Sequence, residues 1–317
     1  MAIFVTGTPS WQDLGTALVA EVQAAVPGAK ADDLALVLVQ RGADGRPEGF
    51  VHRGAEPIYP CSLVKAFHLV HALAALDEGW AEAHGELDRA MRDMILWSSN
   101  TATNYVIDIL TGTTGDTLLD GAEYLDWMSK RERLNRFFWR MGWPDWEGCR
   151  IAQKLMDDTR YGREARFAAE GAGNLNRLTA LAAARLMWEL FDGDLPLSAP
   201  VRGRAQAILS RDPAGPDAGD PNYQLAEYLG GDLPRDVQIW SKAGHNLWTG
   251  DARTSWFKHD MIRIAAPGRK PLIVVAMTEG EDLARDASFL PRLGRDIWNR
   301  LASAGTSSPS ACWPTGF

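Results

Sequence analysis

At 317 residues the chain has room for one large domain or two intimately packed ones, and length enough to bury a full core. Hydrophobic residues make up 46% and charged residues 23%, the balance of a folded soluble protein rather than a disordered or fibrous one. A net charge of −8 without any long Lys/Arg run argues against phosphate-backbone binding, so no nucleic-acid partner is expected.

Met1 to Pro9 shows neither a basic leader region nor a continuous apolar run. Nothing later approaches ~18 uninterrupted apolar residues, so no membrane partner and a cytoplasmic location are expected. Trp11 to Val26 reads as an amphipathic helix, with Leu14, Leu18, Val22 and Val26 four residues apart. Asp33 to Gln40 is strand-like, Arg41 to Gly45 is a turn rich in breakers, and Gly49 to Ile58 can supply the paired strand. A helical half follows from residue 62 to 210, interrupted near Gly112–Gly115, Gly142–Gly148, Gly171–Gly173 and Gly193. Arg211 to Asp220 is a Pro/Gly/Asp-rich loop. Strands return at Asp236–Ser241, Thr254–Ala265 and Pro271–Thr278, and Leu290 to Ala302 closes with a helix.

This order predicts a two-lobe α+β (α/β) architecture. Two sequence-distant groups of strands form a five-stranded antiparallel sheet flanked by the terminal helices, and the middle block forms an all-helical lobe. Residues 1–61 with 211–317 make the sheet lobe, 62–210 the helical lobe, and together they are one integrated catalytic domain with a cleft between them.

Three short motifs fall along this frame. Ser62-Leu63-Val64-Lys65 follows Pro60 and opens a run, to Leu76, that is apolar almost all round, as a buried central helix should be. Residues three apart share a helix face, and a buried lysine can lose its proton and deprotonate a serine hydroxyl. One S-x-x-K is expected by chance in roughly 300 residues. Ser255-Trp256-Phe257-Lys258 is such a match; it falls in an expected strand, where residues three apart point to opposite faces, and is set aside. Ser98-Ser99-Asn100 follows an apolar helix end and offers a hydroxyl to relay a proton and an amide to bind an acyl group. Ser241-Lys242-Ala243-Gly244-His245 ends a strand, giving a fixed positive charge and a glycine that permits close approach to the backbone.

Taken together, the order SxxK, SxN, KxG resembles the signature of class A β-lactamases and the wider penicillin-recognising serine hydrolases. Ser98 to Asn104 is similar to the family's SDN-T-A-x-N run, Asn176 to Leu190 resembles the helix after the omega loop, and His259-Asp260 resembles a strand pattern common in the family. The resemblance covers about residues 11 to 302. It implies a β-lactamase-like fold and a serine hydrolase, with Ser62 as the acylated nucleophile and Lys65 as its general base or proton shuttle. By the same resemblance Ser98 passes a proton to the leaving group beside Lys242, and Asn100, Ala243, Gly244 and His245 lie on the substrate side. The backbone N–H groups of Ser62 and His245 would form the oxyanion hole.

Departures from the pattern matter as much. Ser99 stands where class A enzymes usually carry aspartate, and Ala243 replaces a hydroxyl that helps hold a substrate carboxylate. The omega region lacks the family's E-x-x-L-N sequence. Between Ile151 and Glu164 the carboxylates are Asp157, Asp158 and Glu164, none in the frame of the water-activating glutamate. The expected activity is therefore an intracellular amidase, peptidase or esterase acting through an acyl-serine on a small-molecule or peptide-like amide or ester, by hydrolysis or acyl transfer. A β-lactamase and a non-catalytic ligand-binding domain are the alternatives. No metal or organic cofactor is expected: Cys61, Cys149 and Cys312 lack thiolate-site spacing, and His68, His71 and His84 have no carboxylate at ligand spacing. Thirteen tryptophans either pack the lobes together or build an apolar pocket near the motifs that Trp97 and Trp240 precede.

Overall fold

A computed structural model of the chain describes residues 4–115, 117–155, 159–170 and 172–304. The first helix, α1 (Pro9–Ala25), is capped by the Thr8 side chain on Trp11 N–H and has proline in its first turn. It packs over the hairpin of β1 (Leu34–Arg41) and β2 (Pro47–His52). Gly15 permits this, since a Cβ there would lie 2.1 Å from the Phe50 ring.

The helices α2 (Val64–Asp77), α3 (Gly85–Leu96), α4 (Asn100–Thr111), α5 (Gly121–Arg131), α6 (Arg133–Arg140), α7 (Gly162–Ala169), α8 (Ala180–Phe191) and α9 (Ala199–Leu209) follow in order. The chain then supplies β3 (Ser210–Arg211), β4 (Gln238–Asn246), β5 (Phe257–Ala265), β6 (Leu272–Glu279), α10 (Glu281–Arg285) and α11 (Phe289–Ala304). The sheet runs β2-β1-β6-β5-β4-β3, with every pair antiparallel.

Strand alternation sorts the cores. Leu34, Leu36 and Leu38 of β1 join Ile262, Val274 and Ala276 under the two terminal helices. Ala35, Val37 and Val39 join Met261, Val275 and Met277 against the helical side, where α2 is buried from Val64 to Ala75. Both sheet faces are thus covered, which is why β1 and β6 read as nearly continuous apolar runs.

Three expectations are corrected. The sheet has six strands rather than five: Ser210 and Arg211 pair with Trp240 and Ile239, a rung too short to leave any alternation in sequence. The second strand stops at His52, because Arg53 turns with φ 48° and Ile58 instead bridges Leu178. And β4 continues through Asn246, so the third motif lies inside a strand rather than at its end. None of the helices among the described residues is long and apolar enough to cross a membrane.

Candidate active site

Ser62 stands in a short 3₁₀ turn, Cys61–Leu63, that feeds directly into α2. It is half-buried between fully buried neighbours and opens onto a cleft of about 930 Å³ between the sheet edge and the helical side. The backbone enters through Cys61 at φ 47°, a left-handed conformation that costs a non-glycine residue about 1 kcal/mol. His259 on β5 fixes this entry: its Nε2–H donates to the Tyr59 carbonyl at 2.8 Å, while Nδ1 accepts from Thr278 N–H at 3.0 Å. Burial holds that imidazole neutral, with its pKa lowered to about 4.

Strand β4 presses on the same turn. A Cβ at Gly244 would come within 2.6 Å of the Ser62 backbone nitrogen and 2.9 Å of Cys61 Cβ. The close approach that this glycine permits is therefore by the chain's own Cys61–Leu63 turn.

The second motif is a junction between helices. Helix α3 ends at Trp97, Ser98 takes φ 51°, and Ser99 caps α4 by accepting from Ala102 N–H at 3.1 Å. Into this junction two buried lysines reach from opposite sides. Lys65 Nζ donates to the Ser98 carbonyl, to Ser98 Oγ at 3.1 Å and to Asn100 Oδ1 at 2.7 Å. Lys242 Nζ donates to Ser98 Oγ at 3.0 Å, to Gln224 Oε1 and to the Ala243 carbonyl at 2.6 Å. A serine hydroxyl has two lone pairs and one proton. Ser98 Oγ is within hydrogen-bond distance of both lysine nitrogens. Burial, and then the neighbouring charge of Lys65, hold Lys242 well below the usual lysine range.

The substrate-side expectations divide. Asn100 and His245 line the cleft, and Gly244 lies beneath it. His245 donates from Nε2 to the Ala284 carbonyl at 3.0 Å, and burial followed by Lys258 lowers its pKa. Ala243 differs: its methyl is fully buried in the core under the terminal helices and does not reach the cleft. It sits in register with Asp260, whose carboxyl burial raises to about 7 despite a bond from Leu229 N–H at 3.0 Å and the nearby Arg211 and Lys242.

The duplicate S-x-x-K is scattered. Ser255 precedes β5 and bonds the Asp251 carbonyl at 2.7 Å, while Lys258 lies within β5 and donates to the Asp286 carbonyl at 3.1 Å. Among the carboxylates of the omega region, Glu164 is buried in an ion pair with Arg131. Asp157 and Asp158 lie outside the described residues. Its neck is closed by side chains: Asn176 brackets Gln153 and Ala152 at 3.0–3.1 Å, Arg150 and Arg177 pair backbone to backbone, and Asn104 grips both backbone groups of Leu155.

Several participants escaped the sequence reading. Gln224 sits in an irregular segment at φ 55° with no motif around it, and Arg211 anchors β3 by donating to the Ile95 carbonyl at 2.8 Å and the Leu96 carbonyl at 3.1 Å. His84 caps α3, while His68 and His71 are buried on α2. Cys61 and Cys149 are buried free thiols, and Cys312 lies outside the described residues. Among the described residues no group of three or more His, Cys, Asp or Glu could hold a metal ion. Of the tryptophans, Trp97 and Trp248 line the cleft, whereas Trp240 packs on Phe191 and Trp146 lies in the core.

Comparison with known proteins agrees with this fold. The model of the β-lactamase enzyme family matches residues 81–301, a span that includes Ser98 and Lys242 and begins after Ser62 and Lys65. The fold matches an ancestral class A β-lactamase at 21% identity and TM-score 0.58, covering 92% of this chain and 99% of that one. It matches a β-lactamase from Xanthomonas campestris pv. campestris at 20% identity and TM-score 0.60, covering 90% and 97%. No curated protein sequence matches. The chain belongs to the β-lactamase enzyme family of penicillin-recognising serine hydrolases, and it is an enzyme.

Proposed function

We propose that this member of the β-lactamase enzyme family cleaves an amide or ester bond of a small-molecule or peptide-like substrate through an acyl-enzyme on Ser62. The observation that carries the reading is the Ser98 hydroxyl held between Lys65 and Lys242 at 3.1 and 3.0 Å. Two ammonium groups so close to one hydroxyl cannot both keep a full charge cheaply, and Lys242 is already depressed by burial and by Lys65. The pair is therefore shifted toward losing a proton, and a lysine nitrogen that has lost it is a base beside the turn that carries Ser62.

In this reading Lys65 takes the Ser62 proton as Oγ attacks the carbonyl carbon. The oxyanion forms against the backbone N–H groups of Ser62 and His245; the close approach of Gly244 to the Ser62 nitrogen supports this. The tetrahedral adduct then collapses. The bond to the leaving nitrogen or oxygen breaks, and Ser98 hands that atom its proton and is reprotonated through the lysine pair. Asn100, whose Oδ1 accepts from Lys65, lines the cleft on the acyl side. Water, or an amine in acyl transfer, then releases the acyl group.

A substrate other than a β-lactam is favoured by two side chains. The methyl of Ala243 supplies no hydroxyl to the cleft, and Glu164 is committed to Arg131 rather than to a water beside Ser62. The test is intact mass after incubation with a fluorophosphonate probe, with Ser62→Ala alongside. One adduct on the wild type and none on the variant is the expected result. A folded wild type that takes no adduct would overturn the reading in favour of a ligand-binding protein. Incubation with benzylpenicillin adds a second readout: a persistent acyl adduct is expected, and rapid turnover would restore the β-lactamase reading.

A further inference from the structure

The cleft walls carry an uneven set of charges. Asp251 lines the cleft but is held bidentately by Arg253, with Nε–Oδ1 at 3.0 Å and Nη2–Oδ2 at 2.7 Å. Glu227 also lines it and faces Lys258 at 3.6 Å. Arg160 is the one lysine or arginine among the described residues that line the cleft, and no described carboxylate lies within ion-pair distance of it. Its Nε–H is buried without any acceptor. The ring of Tyr59, three residues before Ser62, is buried, and its hydroxyl lies beside Arg160 and Gln153. The guanidinium is thus held next to the nucleophile turn with hydrogen-bonding capacity to spare.

We infer that Arg160 is a specificity-determining residue that binds an anionic group, of the carboxylate class, on the acyl half of the substrate; the inference rests on Ser62 acylation as proposed above. Its position gives the half. Along β4, Lys242 and Ser98 mark the side where the leaving group is protonated. His245 follows, and beyond it come Asn246 and the loop that carries Trp248 and Asp251. Arg160 lines the cleft together with Trp248 and Asp251 of that loop, whereas Lys242 stands at the Ser98 end. An acyl chain leaving the oxyanion position in that direction runs along Leu247 and the exposed face of Trp248 toward the guanidinium. A planar guanidinium takes a carboxylate in two parallel bonds, which a neutral chain end cannot match. An anion site here would also sit apart from the β4 position where Ala243 lacks a hydroxyl.

The test compares two esters with the same leaving group and equal acyl length, para-nitrophenyl hexanoate and mono-para-nitrophenyl adipate, on wild type, Arg160→Gln and Arg160→Lys. Nitrophenolate release gives kcat/KM, and intact mass gives the Ser62 adduct. The wild type is expected to favour the adipate by about tenfold or more, the range of one charged hydrogen-bonded contact. Arg160→Gln should remove that preference while leaving the hexanoate within about twofold, and Arg160→Lys should restore part of it. An enzyme that the fluorophosphonate labels but that prefers hexanoate, or whose preference survives Arg160→Gln, overturns the anion site alone. A wild type that neither the probe nor either ester acylates overturns the hydrolase reading and the anion site with it.

Discussion

Two polar constructions, one around Ser98 at the cleft and one along residues 150–177, use their charges differently. Around Ser98, two lysines from α2 and β4 converge on one hydroxyl. Along residues 150–177 the polar side chains turn inward on their own backbone: Asn176 grips Ala152 and Gln153, Arg150 grips Glu132 and Asn174, and Glu164 is buried against Arg131. The first arrangement holds like charges together at an electrostatic cost, as the proposed chemistry requires. The second pairs Glu164 with Arg131 and Arg150 with Glu132 and serves to hold a long segment in place. Proximity to the cleft does not make a carboxylate a catalyst; its partner decides.

The sharpest way to break this contrast is Lys65→Met, which keeps the side-chain length and removes the basic nitrogen. Fluorophosphonate labelling of Ser62 should slow by about a thousandfold, within the range of a general base. Circular dichroism should show the fold retained. Labelling within tenfold of wild type would mean that Lys65 is a structural lysine, and the distinction between the two regions would fall.

Glu164→Gln asks the converse. Removing the carboxylate leaves the buried Arg131 guanidinium uncompensated apart from Asp108 at 4.0 Å, so denaturant unfolding should show a loss of about 3 kcal/mol. Labelling of the folded variant should be unchanged. A variant of normal stability that acylates but fails to deacylate would place Glu164 in the chemistry after all.

Helix α2 belongs to both constructions, since it carries Lys65 and, deeper, the buried His68 and His71. Burial, followed in His68 by the neighbouring His71, Arg131 and Lys65 charges, lowers both histidines to about 3. With His259 at about 4, three groups are neutral when folded and protonated when unfolded below pH 6.5. The unfolded chain then binds more protons, so stability falls as pH drops from 6.5. Asp260, raised to about 7, acts in the opposite sense between about pH 7 and 4, and offsets one of the three. Unfolding at pH 5 should be easier than at pH 7 by roughly 3 kcal/mol. His68→Leu should flatten that dependence; an unchanged slope would mean that the imidazole is not held neutral.

Much of this was legible in the chain, for reasons that can be located. Strands β1 and β6 announced themselves because both faces are covered, and α2 because it is apolar all round. Ser62, Ser98 and Lys242 stand at spacings that local geometry preserves, so three motifs far apart in sequence could be joined. What failed to show was set by contacts with no local signature. Gln224 reaches Lys242 from an irregular segment, and Arg160 gains its meaning only from the pairing of Asp251 and Glu227 with other cations. The sixth strand is two residues long. Ala243 was expected at the substrate because the motif names it, whereas strand alternation turns its methyl to the far face.

The smallest expected effect tests the departure that looked most disruptive in sequence. Ser99 occupies the position where class A enzymes usually carry aspartate, yet its task is visible: extended at φ −60°, ψ 123°, its hydroxyl accepts from Ala102 N–H and caps α4. Serine and aspartate are near-equals as helix N-caps, and a carboxylate adds a favourable interaction with the positive end of the helix dipole. Ser99→Asp should therefore leave stability within about 0.5 kcal/mol of wild type. Its charge would lie one residue from Ser98 and from Asn100, both bonded to Lys65, and would favour the protonated state of the lysine pair. The basic limb of the labelling rate should accordingly move to higher pH, with the plateau rate unchanged. A large loss of stability would show that the cap is not the position's role. A shift to lower pH would mean that the lysine pair does not set the limb, and that the comparison drawn between the two constructions has the wrong charges in it.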